Sequence, residues 1–249
     1  MYDFYLGGSH NFEADRQMAR KIIDLAPDTV AVARANRAFL RRAVRFCIAA
    51  GVRQFLDIGS GLPTAGNVHD IAQQLDPQAR VVYVDIDPVA VAHSTAILTG
   101  NDNAAVIHAD VRDVDAILGH PGCRRLLDFS APLAVLLVSV MHFIPDADDP
   151  AGILRRIRRA VVPGSYLVFS QASLAGVDED RLHAAKQLYA RTATELSLRP
   201  EADIVAMLDG WRLVEPGLTY LSMWRPESPQ DVAPDADRSV FLAGVGRKA

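Results

Sequence analysis

One stretch of eleven residues limits what this chain can become: Gln54-Phe55-Leu56-Asp57-Ile58-Gly59-Ser60-Gly61-Leu62-Pro63-Thr64. Gln54 to Ile58 is a compact run with β-branched and aromatic character, bounded by turn signals, and it predicts a short buried strand. Gly59 and Gly61 lack a Cβ, so the backbone there can turn tightly and approach a ligand closely. Asp57 falls just before the turn, at the carboxyl end of the strand. Open parallel sheets bind ligands at that end. The alternative is a plain strand-to-helix turn that binds nothing.

The ligand follows from Asp57 and from a missing glycine. A dinucleotide fingerprint, G-x-G-x-x-G, needs glycine at 64, and this chain has Thr64. A pyrophosphate beside the turn would also be repelled by an anionic Asp57. S-adenosylmethionine suits the stretch better. It has no phosphate, it carries a cationic sulfonium, and its amino group can pair with a carboxylate. The stretch resembles motif I of class I methyltransferases, an acid followed by G-x-G-x-G. Pro63 replaces the third glycine, and proline is suited to the first turn of a helix.

The 249 residues fit one large α/β domain, and half of them are hydrophobic, which supplies a sizeable core. A net charge of −4 argues against bulk nucleic-acid binding. Cys47 and Cys123 stand apart from any Cys/His cluster, which points to neither a disulfide framework nor a zinc site. No apolar run reaches the ~18 residues of a membrane span, and the N-terminus lacks a signal-peptide core. The expectation is a cytoplasmic protein with no membrane partner and an oligomeric state left open.

The first fifty residues read as mostly helical. Tyr2 to Phe12 is too aromatic and glycine-rich for a solvated tail. Asn11 is the expected cap of a helix bearing Ala14, Met18, Ile22 and Leu25 on one face. Pro27 ends that helix, and Asp28 opens a second one to about Ala50, stopped by Gly51. Arg34, Arg37, Arg41 and Arg45 make one basic stripe along it. A solvated face accounts for the outer arginines. Arg34 and Asn36, nearest the helix start, are the candidates to anchor an acidic substrate or the cofactor carboxylate.

From Gln54 onward strand and helix alternate. Asn67 to Leu75 is a crossover helix, and Val81 to Asp85 is a buried second strand. Asp87-Pro88 opens the next helix, so Asp85 is not needed as a cap and can accept both ribose hydroxyls. The third strand is Ala105 to His108. Beyond it Asp110 can accept the adenine amino group, with the Val111 backbone as donor to the ring; the alternative is that Asp110 or Asp113 caps the helix Val114 to Leu118. Three acidic strand ends in register are harder to explain as caps. The fourth strand, Leu133 to Val138, leads to His142, a candidate general base by its ordinary pKa of ~6.5, or a packing histidine. Asp146, Asp148 and Asp149 read as a solvated loop and a helix start, with no metal. A helix over 152–161, a strand over 166–170, a long helix over 178–198, a helix from Pro200 and a strand over 211–214 follow. Thr219 to Trp224 extends the ligand side or a strand, and Ser239 to Gly244 is a final strand placed to pair with Trp211 to Val214 at the sheet edge.

The order of motifs is similar to that of class I S-adenosylmethionine-dependent methyltransferases. More closely, it resembles an actinobacterial family of candidate methyltransferases first defined as a domain of unknown function. The matching residues are Tyr5-Leu6-Gly7-Gly8 with Asn11 and Ala14-Asp15-Arg16, Arg34-Ala35-Asn36-Arg37, the Gln54–Thr64 stretch, Val82-Tyr83-Val84-Asp85 with Asp87-Pro88, Ala109-Asp110-Val111-Arg112, His142-Phe143 and Pro163-Gly164-Ser165-Tyr166. The resemblance accounts for Leu-Pro-Thr at 62–64. It implies an α/β fold with a Rossmann-like, mostly parallel sheet of seven strands, order 3-2-1-4-5-7-6. It also implies an N-terminal helical cap or lid over 1–50 on a core over 51–249, in one domain. The cofactor-binding set is then Tyr5, Gly7, Asn11, Arg34, Asp57, Gly59, Ser60, Gly61, Asp85, Ile86, Asp110, Val111 and Ser139, and His142 is the candidate catalytic residue. The expected activity is methyl transfer to a small-molecule acceptor; the competing readings are a cofactor-binding protein without methyl transfer and, more weakly, a nicotinamide oxidoreductase.

Overall fold

Short apolar runs become strands buried on both faces, and longer amphipathic stretches become the helices that cover them. The computed structural model describes all residues except 63–65, 176, 178, 190–194, 234–235 and 237–238. The expectations for Pro63, Thr64 and Asp178 therefore lie outside the described residues. The strands are β1 (Gln54–Ile58), β2 (Arg80–Asp85), β3 (Ala104–His108), β4 (Ala134–Val138), β5 (Tyr166–Ala172), β6 (Arg212–Leu213), β7 (Thr219–Tyr220) and β8 (Phe241–Arg247). β1 to β5 pair in parallel, and β8 runs antiparallel to β5, β6 and β7. The order is β3-β2-β1-β4-β5-β8-β6, with β7 also on β8. It is the expected order with one short strand added at Thr219–Tyr220.

The helices are α1 (Tyr2–Tyr5), α2 (Glu13–Leu25), α3 (Thr29–Ala49), α4 (Val68–Leu75), α5 (Pro88–Ile97), α6 (Val114–Gly119), α7 (Pro121–Leu126), α8 (Pro150–Ala160), α9 (Glu179–Tyr189) and α10 (Glu201–Met207). On one side of the sheet Phe39 and Val44 of α3 and Ile71 of α4 pack against Phe55, Val81 and Val168. On the other, Ile117 of α6, Ile153 and Ile157 of α8 and Ile204 of α10 pack against Leu56, Val82 and Leu137. Alternate residues along each strand thus face opposite layers.

Three expectations need correction. Phe12, not Asn11, precedes the first turn of α2, because the Asp15 carboxylate accepts the Phe12 N–H at 3.2 Å. Of the helix expected over 178–198, the described part is α9, Glu179–Tyr189. Residues 195–198 are not helical: Ser197 N–H donates to the His142 carbonyl at 2.7 Å, and Arg199 bridges to Ser173. Arg199 also precedes Pro200, which disfavours helical backbone there. The last strand begins at Phe241 rather than Ser239 and runs on to Arg247. α7 was not foreseen.

Candidate functional site

The glycine turn lies over the end of β2. Gly59 and Ser60 N–H groups both donate to the Val84 carbonyl, at 2.8 and 3.2 Å, and Gly61 N–H donates to Asp85 Oδ2 at 2.6 Å. Gly59 and Gly61 both have left-handed φ, 75° and 63°, which glycine adopts without strain. A Cβ on Gly59 would collide with Val140, whereas a Cβ on Gly61 would meet nothing within 4 Å. Gly59 is therefore needed for packing against the β4 end, and Gly61 borders open space.

The three acids are staggered, not level. Asp57 pairs with Tyr83, two positions before Asp85, and Asp85 pairs with His108, two positions before Asp110. They run as a diagonal across the strand ends. Asp85 is buried, with Oδ1 accepting the Asp87 N–H at 2.9 Å and Oδ2 accepting from Gly61. Each oxygen retains capacity for a further donor. Burial raises the Asp85 pKa, and these backbone donors oppose the rise. Asp57 is 8 % exposed and takes no hydrogen bond from a described residue. Burial pushes its pKa up to about 7, with Arg37 opposing and Asp85 adding.

Asp110 does not cap α6; Asp113 does, accepting the Ala116 N–H at 3.0 Å. The Asp110 carboxylate is gripped by Arg112, whose Nε lies 2.8 Å from Oδ2, and this ion pair lowers the Asp110 pKa. Arg112 also reaches Asp148 at 3.1 Å. Ile86 is 53 % exposed, an apolar face at the end of β2. Val111 is buried, and its N–H donates to no described backbone group. Asp87 caps α5 as expected, accepting the Val89 N–H at 2.8 Å.

The N-terminal segment is tied to the ends of β4 and β5 by a buried polar chain. Asn36 Nδ2 donates to Tyr2 Oη at 3.0 Å, Ser170 Oγ donates to Asn36 Oδ1 at 2.7 Å, and Ser139 N–H donates to Ser170 Oγ at 3.0 Å. Ser139 has φ 64°, rare for a residue with a Cβ. Tyr5 is buried with Leu188 and Tyr189 around it, its hydroxyl has no hydrogen-bond partner among the described residues, and burial raises its pKa. Gly7 has φ 78° with open space beyond it. Asn11 Nδ2 donates to Asp3 and to the Gly8 carbonyl, so its amide is used within the segment. His10 meets His93 of α5 edge-on, 6.0 Å between ring centres. Tyr2 and Ser170 are participants the sequence reading missed; the aromatic run at 2–12 was the signal for the first, and no signal marked the second.

His142 is 3 % exposed, in a short turn over Met141–Phe143. Its ring packs on Phe143 and Phe241, and its Nδ1 accepts the Ala172 N–H at 3.4 Å. Burial, with Arg199 close by, lowers its pKa to about 3. Arg34 is exposed and lines a cavity of about 220 Å³ together with Arg37, Arg41, Leu6, Gly66 and Ile71. Asp146 pairs with Arg199, Asp148 with Arg112, and Asp149 caps α8. No group of three or more metal-ligating side chains occurs among the described residues. No described helix is long and apolar enough to cross a membrane.

A β3-β2-β1-β4-β5-β8-β6 sheet with a glycine turn after β1 and an acid closing β2 defines the Rossmann-like methyltransferase fold. The chain belongs to the S-adenosyl methyltransferase family, whose model matches residues 1–249. S-adenosylmethionine is the cofactor of that family. Among solved structures, a candidate methyltransferase from Thermobifida fusca YX is 41% identical, covering 99% of this chain and 92% of its own, with a TM-score of 0.92. A DUF574-family protein from Streptomyces avermitilis MA-4680 is 33% identical over 100% of this chain and 95% of its own, with a TM-score of 0.93. Human N-acetylserotonin methyltransferase in complex with SAM shares the fold at 15% identity and a TM-score of 0.50, covering 100% of this chain and 62% of its own. No curated protein matches the sequence.

Proposed function

We propose that this protein transfers the methyl group of S-adenosylmethionine to a small-molecule acceptor. The observation that carries the reading is the Gly59–Gly61 turn laid over the buried Asp85, with open space at Gly61. A side-chain-free approach and a buried acceptor at the end of β2 are what an adenosine ribose needs. In this reading the ribose hydroxyls donate to Asp85, displacing or sharing the Gly61 N–H. The adenine lies on the Ile86 face, its amino group donating to Asp110 and its ring accepting from the Val111 N–H. Asp57 takes the ammonium of the amino-acid end, Gly59 and Ser60 line the turn beneath it, and Arg34 and Ser139 bound that end. Tyr5, Gly7 and Asn11 belong to a lid formed by the N-terminal segment, and residues 1–249 act as one domain. Bound there, the cofactor supplies an electrophilic methyl group, which the acceptor takes in line.

The protein's own part is to orient and to exclude water. An imidazole with a pKa near 3 holds no proton at neutral pH, so His142 is a weak base as packed. The acceptor is accordingly one that needs little deprotonation, and substitution of His142 separates that case from base catalysis. Calorimetry with S-adenosylhomocysteine and with NAD tests the cofactor: binding of NAD alone would sink the reading. Release of S-adenosylhomocysteine from S-adenosylmethionine with a panel of phenol, amine and activated-carbon acceptors tests transfer. Cofactor binding without turnover on any of them would favour a non-methylating role.

A further inference from the structure

The arginine cavity beside the glycine turn is not explained by the adenosine contacts. It is walled by Arg34, Arg37 and Arg41 of α3 on one side and by Gly66 and Ile71, at and after the turn, on the other, with Leu6 behind. Arg41 has an outside partner, Glu227 at 3.9 Å. Arg37 has none of this kind: among the described residues no carboxylate comes within 4 Å of its guanidinium, and its Nε is buried without a hydrogen-bond partner. A buried donor left unsatisfied is costly, and more so when charged. Its nearest ring contact is Tyr2, with the guanidinium carbon 5.8 Å from the ring centre. On the sheet side lies Asp57, close enough for Arg37 to lower its pKa, and itself without a donor among the described residues.

Arg37 lines this cavity, and the two terminal nitrogens of a guanidinium match a carboxylate in two-point geometry. We propose that this cavity is a carboxylate-binding site with Arg37 as its anchor and Arg34 at its mouth. Resting on the cofactor reading above, the preferred source of that carboxylate is the amino-acid end of S-adenosylmethionine. Arg37 then takes the carboxylate while neighbouring Asp57 takes the ammonium, and both orphan groups are satisfied by one zwitterion. The second source is an acidic group on the methyl acceptor.

The experiment compares the full-length protein with Arg37→Met and Arg37→Lys, each checked for an unchanged melting profile. Three probes are titrated by calorimetry: S-adenosylhomocysteine, 5′-methylthioadenosine, which lacks the amino-acid end, and benzoate on protein saturated with S-adenosylhomocysteine. The expected result is a loss of about tenfold or more for S-adenosylhomocysteine in Arg37→Met, with 5′-methylthioadenosine within about twofold. Arg37→Lys should fall between, since lysine retains charge without the fork. If both adenosine ligands are unchanged but benzoate binding is lost, the site stands and its carboxylate belongs to the acceptor. If both adenosine ligands weaken together, or none of the three responds, the site is overturned. Wild-type protein that binds neither adenosine ligand fails the cofactor reading instead; benzoate binding that depends on Arg37 would still uphold the carboxylate site, and its absence would overturn that too.

Discussion

Replacing Asp57 with asparagine should make the ligand-free protein less sensitive to pH. The acid is buried and takes no hydrogen bond from a described residue, and its pKa rises from an ordinary 3.8 to about 7. Between those values the folded protein holds a proton that the unfolded chain has released. The stability this provides is fully present below pH 3.8 and is lost as pH rises through 7. A rise of that size corresponds to about 4 kcal/mol, at ~1.36 kcal/mol for each tenfold change in proton affinity. The asparagine of D57N does not titrate, so wild type should lose up to about 4 kcal/mol relative to D57N between about pH 4 and about pH 8. Urea unfolding of both proteins by circular dichroism across that range measures the difference, and titrating groups not coupled to Asp57 cancel in the comparison. Parallel stability profiles, within about 0.5 kcal/mol, would overturn this account of the buried acid. The ligand side has the opposite sign. A cationic ammonium needs Asp57 ionised, so wild-type affinity for S-adenosylhomocysteine should rise with pH up to about 7 and flatten above it, while D57N binds weakly at every pH.

Asp85→Ala should weaken S-adenosylhomocysteine binding by about 1.5–3 kcal/mol in calorimetry with the circular dichroism spectrum unchanged; unaltered affinity would count against the ribose assignment. Gly61→Ala should cost about 1–2 kcal/mol of stability from its left-handed φ yet fold and lose cofactor binding, whereas Gly59→Val should also melt far lower because of Val140. His142→Asn should change kcat by less than about threefold across about pH 6–9; a loss of roughly 10²–10⁴ would restore the base role. Deleting residues 1–10 should weaken cofactor binding, and ligand should slow proteolysis in the first fifty residues; equal cleavage with and without ligand would remove the lid.

The parallel half of the sheet was legible because its strands are both continuous and bounded. Val81 to Asp85 has no charged residue before its terminal acid and Pro88 fixes where the next helix begins, so pattern and punctuation agree. The antiparallel half was less so. Arg212–Leu213 and Thr219–Tyr220 are two residues each, too short to show period-2 alternation, and exist through their pairing with β8. The helix expected over 195–198 failed in the same way: these residues carry helix-compatible sequence, but Ser197 and Arg199 are committed to the turn after β4 through the His142, Met141 and Ile144 carbonyls. Tertiary hydrogen bonds overrode a local preference.

Burial separated what composition could not. Asp57, Asp85 and Asp110 look equivalent as acids closing strands, but their charge states diverge for local reasons. Asp110 is held ionised by Arg112, Asp85 is supported by the backbone N–H groups of Gly61 and Asp87, and Asp57 has only Arg37 to offset its burial. The same contrast separates the arginines of α3. Arg37 and Arg41 are one turn apart on one stripe, yet Arg41 faces Glu227 and Arg37 turns a bare Nε inward. A helical wheel cannot distinguish them, because both lie on the basic face; the packing of α1 and α4 against α3 does. An ionised Asp57 and an unpartnered Arg37 held apart are each costly in the ligand-free fold, and bringing one zwitterion between them relieves both costs at once. On the proposed binding mode the site is preorganised at the expense of stability, so removing Asp57 is expected to strengthen the empty protein while weakening cofactor binding.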